Sequence, residues 1–280
     1  MYNLNENQDF KYITFPSFEN YDDIIHCFTT REGGVSSGPF ESMNIGFSTG
    51  DSDENVKRNI EIMAQRLGIN IYDIVETNQT HTNTVKYVTE HHKGKVFAET
   101  SFRDVDGIYT DKKNLALMSF HADCTPVFFY DPVKKVVALA HAGWRGTLLN
   151  IVGVMVRALV NDFNSDPKDI KTAIGPSLGS CCFEVDKDVA DMFLNENREF
   201  IKYMEIKEPK YHFNLWEINK YLLRKEGIKE ENIEVSGVCT KCNNDLFFSH
   251  RAQGGKRGLL AGILMMKWLK YNEIKCPPPF

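Results

Sequence analysis

The chain has 280 residues, 42% apolar and 25% charged, an ordinary globular composition long enough for a large core. With 33 basic against 38 acidic side chains and a formal net charge of −5, it lacks the basic surplus of a dedicated nucleic-acid binder. Its longest apolar stretches, Leu148–Val156 and Gly258–Met266, are cut by Arg157 and Lys267, short of the roughly 18 residues of a membrane helix.

The opening MYNLNENQDFKY has no basic segment followed by an apolar one, so no secretory signal is expected. Strand-like runs follow at Tyr12–Phe15 and Ile25–Thr29. Ser52 or Asp53 can cap a helix to about Leu67, with Val56, Ile60, Met63 and Leu67 on one face and Gly68 as its stop. Further β-like runs occupy Thr84–Val88, Gly107–Thr110, Leu115–Ser119, Val127–Tyr130 and Lys135–Ala140. Leu148–Phe163 reads as a largely buried helix and Lys171–Ile174 as a strand. Helices are expected at Asp186–Asn195 and at Leu215–Lys225, the latter ended by Gly227. A strand at Glu234–Val238 and a last helix at Gly258–Tyr271 complete the order. Three prolines make Lys275–Phe280 a disordered tail. Several strands adjoin without an intervening helix, which predicts an α+β fold. The expected form is a mixed-sheet sandwich with helices packed on the sheets, in a single domain over residues 1–280.

Seven cysteines, two of them adjacent (Cys181 and Cys182), fit a disulfide framework poorly and point to a reducing, cytoplasmic compartment. Cys239-Thr-Lys-Cys242 has CxxC spacing but no second CxxC to complete a zinc ribbon, and no thioredoxin-like context; it is read as structural.

The most informative segment is HADCTPVFFYDPVKKVVALAHAGWRGT, His121–Thr147. Two apolar runs flank Asp131-Pro132-Val133-Lys134, where Pro at the second turn position suits a tight hairpin. A turn centred between Pro132 and Val133 sets Cys124 opposite His141, close enough to share a metal or form a thiolate–imidazole pair. A one-residue slip would send either side chain to the other face. Pro126 suggests irregular backbone around Cys124. Thr147 is a plausible N-cap, so the glycine-rich GWRG loop could present an anion site at a helix N-terminus.

HADCTP, AHAGWRGT, IGPSLGSCCFEV (Ile174–Val185) and FFSHR (Phe247–Arg251), in this order, resemble the laccase-domain (YfiH-type) family. Its members are called polyphenol oxidases in older usage and purine nucleoside phosphorylases more recently. TTREGGVSSGPF (Thr29–Phe40), SMNIGFSTGD (Ser42–Asp51) and NQTHTN (Asn78–Asn83) extend the resemblance over residues 25 to 262. It implies a His/Cys/His metal site at His81, Cys124 and His141. Three ligands with an open fourth position suit a catalytic zinc, and a thiolate with two imidazoles also suits copper. Such a set does not make the blue-copper and trinuclear sites that the older oxidase label requires.

The resemblance further implies phosphorolysis of adenosine, inosine, guanosine and methylthioadenosine, and deamination of adenosine, with purine nucleosides and phosphate as small-molecule partners. Arg31, Arg58 and Arg145 are candidate phosphate clamps, with solvated-helix and turn roles as their ordinary alternatives. Trp144 or Phe40 could stack on the base. Asp123 could accept a ligand imidazole N–H or cap a turn. His121 is a candidate spare ligand or general base, and FFSHRAQGG is expected to form part of the mouth of the site, with no role assigned to it. Three competing readings use the same Cys124 and His141: a metal-free cysteine hydrolase or amidase acting on a peptidoglycan precursor, a copper-dependent polyphenol oxidase, and a metal-dependent binding protein. A monomer or weak homo-oligomer is expected.

Overall fold

A computed structural model describes residues 2–97 and 102–268. Strands that are apolar on both faces set its layering, and elements are numbered along the chain. One six-stranded sheet runs, edge to edge, β1 (Asn3–Asn7), β2 (Phe10–Thr14), β3 (Ile24–Thr29), β15 (Leu260–Met266), β7 (Ala116–His121) and β4 (Ile74–Glu76). The other runs β14 (Ile233–Val235), β10 (Lys171–Ile174), β8 (Thr125–Asp131), β9 (Val136–Ala142), β6 (Gly107–Thr110) and β5 (Val85–Tyr87). A small antiparallel sheet orders β11 (Glu184–Val185), β13 (Lys210–Phe213) and β12 (Met204–Lys207). The β4–β7, β10–β14 and β5–β6 pairs are parallel, so both large sheets are mixed. The helices are α1 (Pro16–Glu19), α2 (Asp53–Leu67), α3 (Trp144–Leu148), α4 (Ile151–Phe163), α5 (Lys187–Glu196), α6 (Leu215–Lys225) and α7 (His250–Gln253).

Alternation along β9 shows why four layers form. Val137 and Leu139 point between the two large sheets, against Phe28, Leu117 and Leu264. Val136, Ala138, Ala140 and Ala142 point outward, under α4 and α6. On the other side, Ala261, Ile263 and Met265 of β15 pack beneath Val56, Ile60 and Met63 of α2. The order is therefore α2, first sheet, second sheet, helices α4 to α6: the expected α+β sandwich. Each such buried aliphatic side chain contributes about 1.5–3 kcal/mol, so a charge at Leu139 would separate the sheets.

Three expectations need correction. Gly258–Tyr271 is read as a helix, but Leu260–Met266 is the central strand β15. A continuous apolar run suits a strand covered on both sides as well as a buried helix, and only the flanking layers decide. Residues 269–271 and the 275–280 tail lie outside the described residues. The helix expected at Leu148–Phe163 is broken at Asn150, whose φ of 55° ends α3 and whose side chain accepts from the Gly153 N–H at 3.0 Å to start α4. Thr147 thus lies inside α3, whose N-cap is Gly143, and Trp144–Gly146 of the GWRG segment is itself helical.

The hairpin register is also offset. Thr125 faces Ala142 and Asp131 faces Val136, so Pro126, not Cys124, is opposite His141. Asp131 Oδ1 accepts from the N–H groups of Val133 and Lys134 at 2.8 and 2.9 Å, and Lys135 adopts φ 54°; the loop is two residues longer on its far side than a tight turn. Because Cys124 is two residues from Pro126, the offset keeps it on the His141 side.

Candidate metal centre and cavity

Two connections pass from the first sheet to the second at the same rim. One joins β4 to β5 and carries His81; the other joins β7 to β8 and carries Cys124. His141 lies one residue from the end of β9, with the parity that points between the sheets. His81 (φ 66°) and Asp123 (φ 91°) both take left-handed backbone, which turns these connections inward. One donor atom from each of His81, Cys124 and His141 lies within 4.8 Å of the others, and Cys124 Sγ is 3.8 Å from His81 Nε2. A Cβ on Gly143 would stand 2.9 Å from His81 Cδ2 and 3.1 Å from Cys124 Sγ, so only glycine lets the chain pass beside the donors. Two imidazoles and a thiolate in this spacing fit zinc or copper, with room for a fourth ligand.

Asp106, which sequence reasoning did not single out, organises the set. Its fully buried carboxylate accepts His141 Nδ1–H at 2.8 Å and the N–H groups of Thr80, His81 and Thr82 at 3.1, 3.0 and 2.8 Å. The Thr82 hydroxyl donates to it at 2.9 Å. This arrangement fixes His141 in the tautomer that frees Nε2 for a metal. Burial would raise the Asp106 carboxyl, but the His141 bond and the backbone donors hold it down at about 2. The signal for Asp106 is non-local: it precedes β6, whose pairing with β9 sets Gly107 against Ala140 and so Asp106 beside His141.

Asp123 does a different task from accepting a ligand N–H. Its oxygens accept from Thr240 Oγ1 and the Arg251 N–H, each at 2.7 Å, and so tie the Cys124 turn to the loops beyond it. His121 uses both ring nitrogens, one with the Cys124 carbonyl at 3.1 Å and the other with Ser119 Oγ at 2.7 Å. Burial first, and the neighbouring His141 second, push its pKa well down. Burial would push the Cys124 thiol up, but His141 and His81 draw it down to about 6. Burial would lower His141, but Cys124 and Asp106 raise it to about 9.

The three donors open onto a cavity of about 720 Å³, lined also by Glu76, Trp144, His250, Arg251, Arg257 and Leu259 among others. Arg31, Arg58 and Arg145 do not line it. Arg31 donates to the Asn244 carbonyl and lies on Phe248; Arg58 pairs with Glu61 in solvent; Arg145 folds over Trp144. Phe40 is buried elsewhere, whereas Trp144 faces the cavity and packs against the core beside Phe193. The cavity's cations come from the FFSHR segment and its continuation. Arg251 spends its guanidinium on the Cys182 and Glu184 carbonyls at 3.1 and 3.3 Å. Arg257 Nε is buried without a hydrogen-bond partner, and burial lowers its pKa against the pull of Asp123 and Cys124. Glu76 Oε2 is likewise buried and unpartnered, and burial raises its carboxyl to about 8. Both are unsatisfied polar groups in a concave site, where a ligand would complete them.

A second cluster is unexpected: the Sγ atoms of Cys181, Cys182, Cys239 and Cys242 all lie within 4.8 Å of one another. The adjacent cysteines supply what the lone CxxC lacks, from a loop about 60 residues away.

The family model described as multi-copper polyphenol oxidoreductase laccase matches residues 25–267. A protein of Bacillus subtilis named purine nucleoside phosphorylase YlmD is 40% identical over 253 residues, covering 89% of this chain and 91% of its own length. The crystal structure of the Bacillus licheniformis hypothetical protein YfiH superposes with a TM-score of 0.88 at 38% identity, covering 94% of this chain and 99% of its own. YlmD from Geobacillus stearothermophilus superposes with a TM-score of 0.84 at 32% identity, covering 94% and 98%. No helix among the described residues is long and apolar enough to cross a membrane.

Proposed function

The chain belongs to the family described as multi-copper polyphenol oxidoreductase laccase, and we propose that it is a zinc-dependent purine nucleoside phosphorylase with adenosine deaminase activity, acting in the cytoplasm. Its substrates are adenosine, inosine, guanosine and methylthioadenosine with inorganic phosphate. One observation carries the reading: the His81, Cys124 and His141 donors, Arg257 with its unpartnered Nε and Glu76 with its unpartnered Oε2 share one cavity of about 720 Å³, large enough for a nucleoside and an anion together.

His81, Cys124 and His141 would hold the metal, with Asp106 fixing the His141 tautomer. A zinc ion held there would supply an activated water of pKa about 7, the chemistry deamination needs, and copper would suit the same donors by softness. Arg257, which lines the cavity together with Arg251 and His250, holds phosphate as a charged donor in a half-dry site. An oxygen of that phosphate attacks C1′ of the ribose while the C1′–N9 bond breaks and its electron pair passes to the purine. Glu76, protonated at neutral pH, delivers a proton to the departing base, and Trp144 offers it an aromatic face. The products are free base and ribose 1-phosphate.

Zinc-replete protein is expected to release hypoxanthine from inosine only when phosphate is present. No base release with or without phosphate, across a nucleoside panel, would overturn the reading. One observation favours a second reading: the Cys124 thiol, drawn down to about 6 beside His141, has the pairing of a metal-free cysteine nucleophile acting on an amide, such as a peptidoglycan precursor. Alkylation of Cys124 that is equally fast with and without zinc supports that alternative; protection by zinc supports the phosphorylase.

A further inference from the structure

We propose that Cys181, Cys182, Cys239 and Cys242 form a second, structural zinc site, separate from the His81/Cys124/His141 centre, that braces one wall of the cavity. Four thiols converge from two loops, and their distances suit a shared ion. Cys242 Sγ is 3.5 Å from both Cys181 Sγ and Cys182 Sγ, and all four sulfurs fall within 4.8 Å. A tetrahedron with metal–sulfur bonds of about 2.3 Å has sulfur–sulfur edges of about 3.8 Å, so the observed set needs only small adjustment to close on a metal. Four protein thiolates leave no open position, which makes such a site structural rather than catalytic.

A simple core role does not account for the cluster, because Cys181 and Cys242 are exposed. None of the four sulfurs lines the cavity. The local backbone is built for a thiolate. The backbone groups of Gly179, in one loop, and Cys242, in the other, both favour the Cys239 thiolate. Burial would raise Cys239, but these two donors leave its thiol lowered.

The two loops it would join are those that hold the Cys124 turn. Leu178 N–H donates to the Asp123 carbonyl at 2.9 Å, and Thr240 Oγ1 donates to Asp123 Oδ1 at 2.7 Å. Thr240 N–H also bonds the Ser177 carbonyl at 3.0 Å, so the loops are already in register before any ion binds.

The test uses the full chain purified under reducing conditions with zinc present. Elemental analysis is expected to give about two zinc per chain for the wild type and about one each for Cys242→Ser and for His81→Ala. Cobalt substitution of His81→Ala should retain the intense visible bands of a tetrathiolate site, and Cys242→Ser should lose them. Alkylation followed by peptide mapping needs no variant to fold: all four cysteines should resist iodoacetamide until a chelator is added. The proposal is overturned if the wild type holds a single zinc that His81→Ala removes, or if the four thiols alkylate at one rate with and without chelator. These readouts are independent of nucleoside turnover, so failure of the phosphorylase assay leaves them intact.

Discussion

Replacing Asp106 with Asn removes one charge and one acceptor oxygen from a carboxylate with five donors. Oδ1 serves His81 N–H and His141 Nδ1–H, and Oδ2 serves the N–H groups of Thr80 and Thr82 and the Thr82 hydroxyl. Whichever way the new amide turns, its NH2 group confronts at least two N–H donors that it cannot accept. At about 1.5–2 kcal/mol for each charge-assisted bond lost, Asp106→Asn should destabilise the metal-free chain by about 3–4 kcal/mol. The pH dependence follows. A carboxyl held at about 2 against an ordinary 3.8 stabilises the fold above pH 4, and this contribution of about 2 kcal/mol is lost as pH falls from about 4 to 2. Urea titrations between pH 2.5 and 7 should therefore show a declining acid limb in the wild type that is flatter in Asp106→Asn. With the His141 tautomer released, zinc affinity measured by chelator competition should drop by about 10- to 100-fold. A variant within about 1 kcal/mol of wild type that holds zinc equally well would refute the assignment of Asp106 as the organiser of the centre.

Glu76→Gln should raise stability at neutral pH: between about 4.5 and 8 the unfolded chain gives up a proton the folded chain keeps, so wild-type stability falls as pH rises through that window. Allowing for water at the half-buried side chain, the gain at pH 7 is about 2 kcal/mol by urea midpoint, and parallel pH profiles for the two chains would refute it. Base release by the Gln variant should fall, since an amide cannot deliver the proton. Arg257→Met should raise the KM for phosphate about 10- to 100-fold at saturating inosine, the cost of one charged contact, while Arg58→Met should leave it within about twofold. Equal KM values in both variants would remove Arg257 from the anion site.

Local patterns were enough for much of the fold and for part of the site. The Gly68-terminated helix and the Gly107–Thr110 and Lys171–Ile174 strands form where apolar spacing and breakers indicate, because their signals lie within a few residues. Short elements with exposed faces, such as β1 and β12, carry no such pattern and form only through their partners. Leu260–Met266 defeats periodicity because both of its faces are covered. At the site, the proximity of Cys124 and His141 is legible because parity survives a two-residue register offset, whereas the Asp131 side chain that lengthens the loop leaves only a weak mark. Asp106, Glu76 and Arg257 were hidden for one reason: each is ordinary in its own segment and becomes distinctive only when separate strands meet. The same holds for the cysteine cluster, whose halves lie apart in sequence and close only in space.

His81 and Cys124 ride on straps that cross from one sheet to the other, and His141 belongs to the second sheet. A metal gripped by all three is therefore a clasp at one rim of the sandwich, loaded in tension whenever the sheets part there. Opening that edge and releasing the ion become a single event, so amide protons on β7 and β9 near the clasp should exchange faster when the ion is withdrawn, while those at the far rim keep their pace. The chain would then carry its metal as a record of closure: only a molecule whose two sheets have met can hold it.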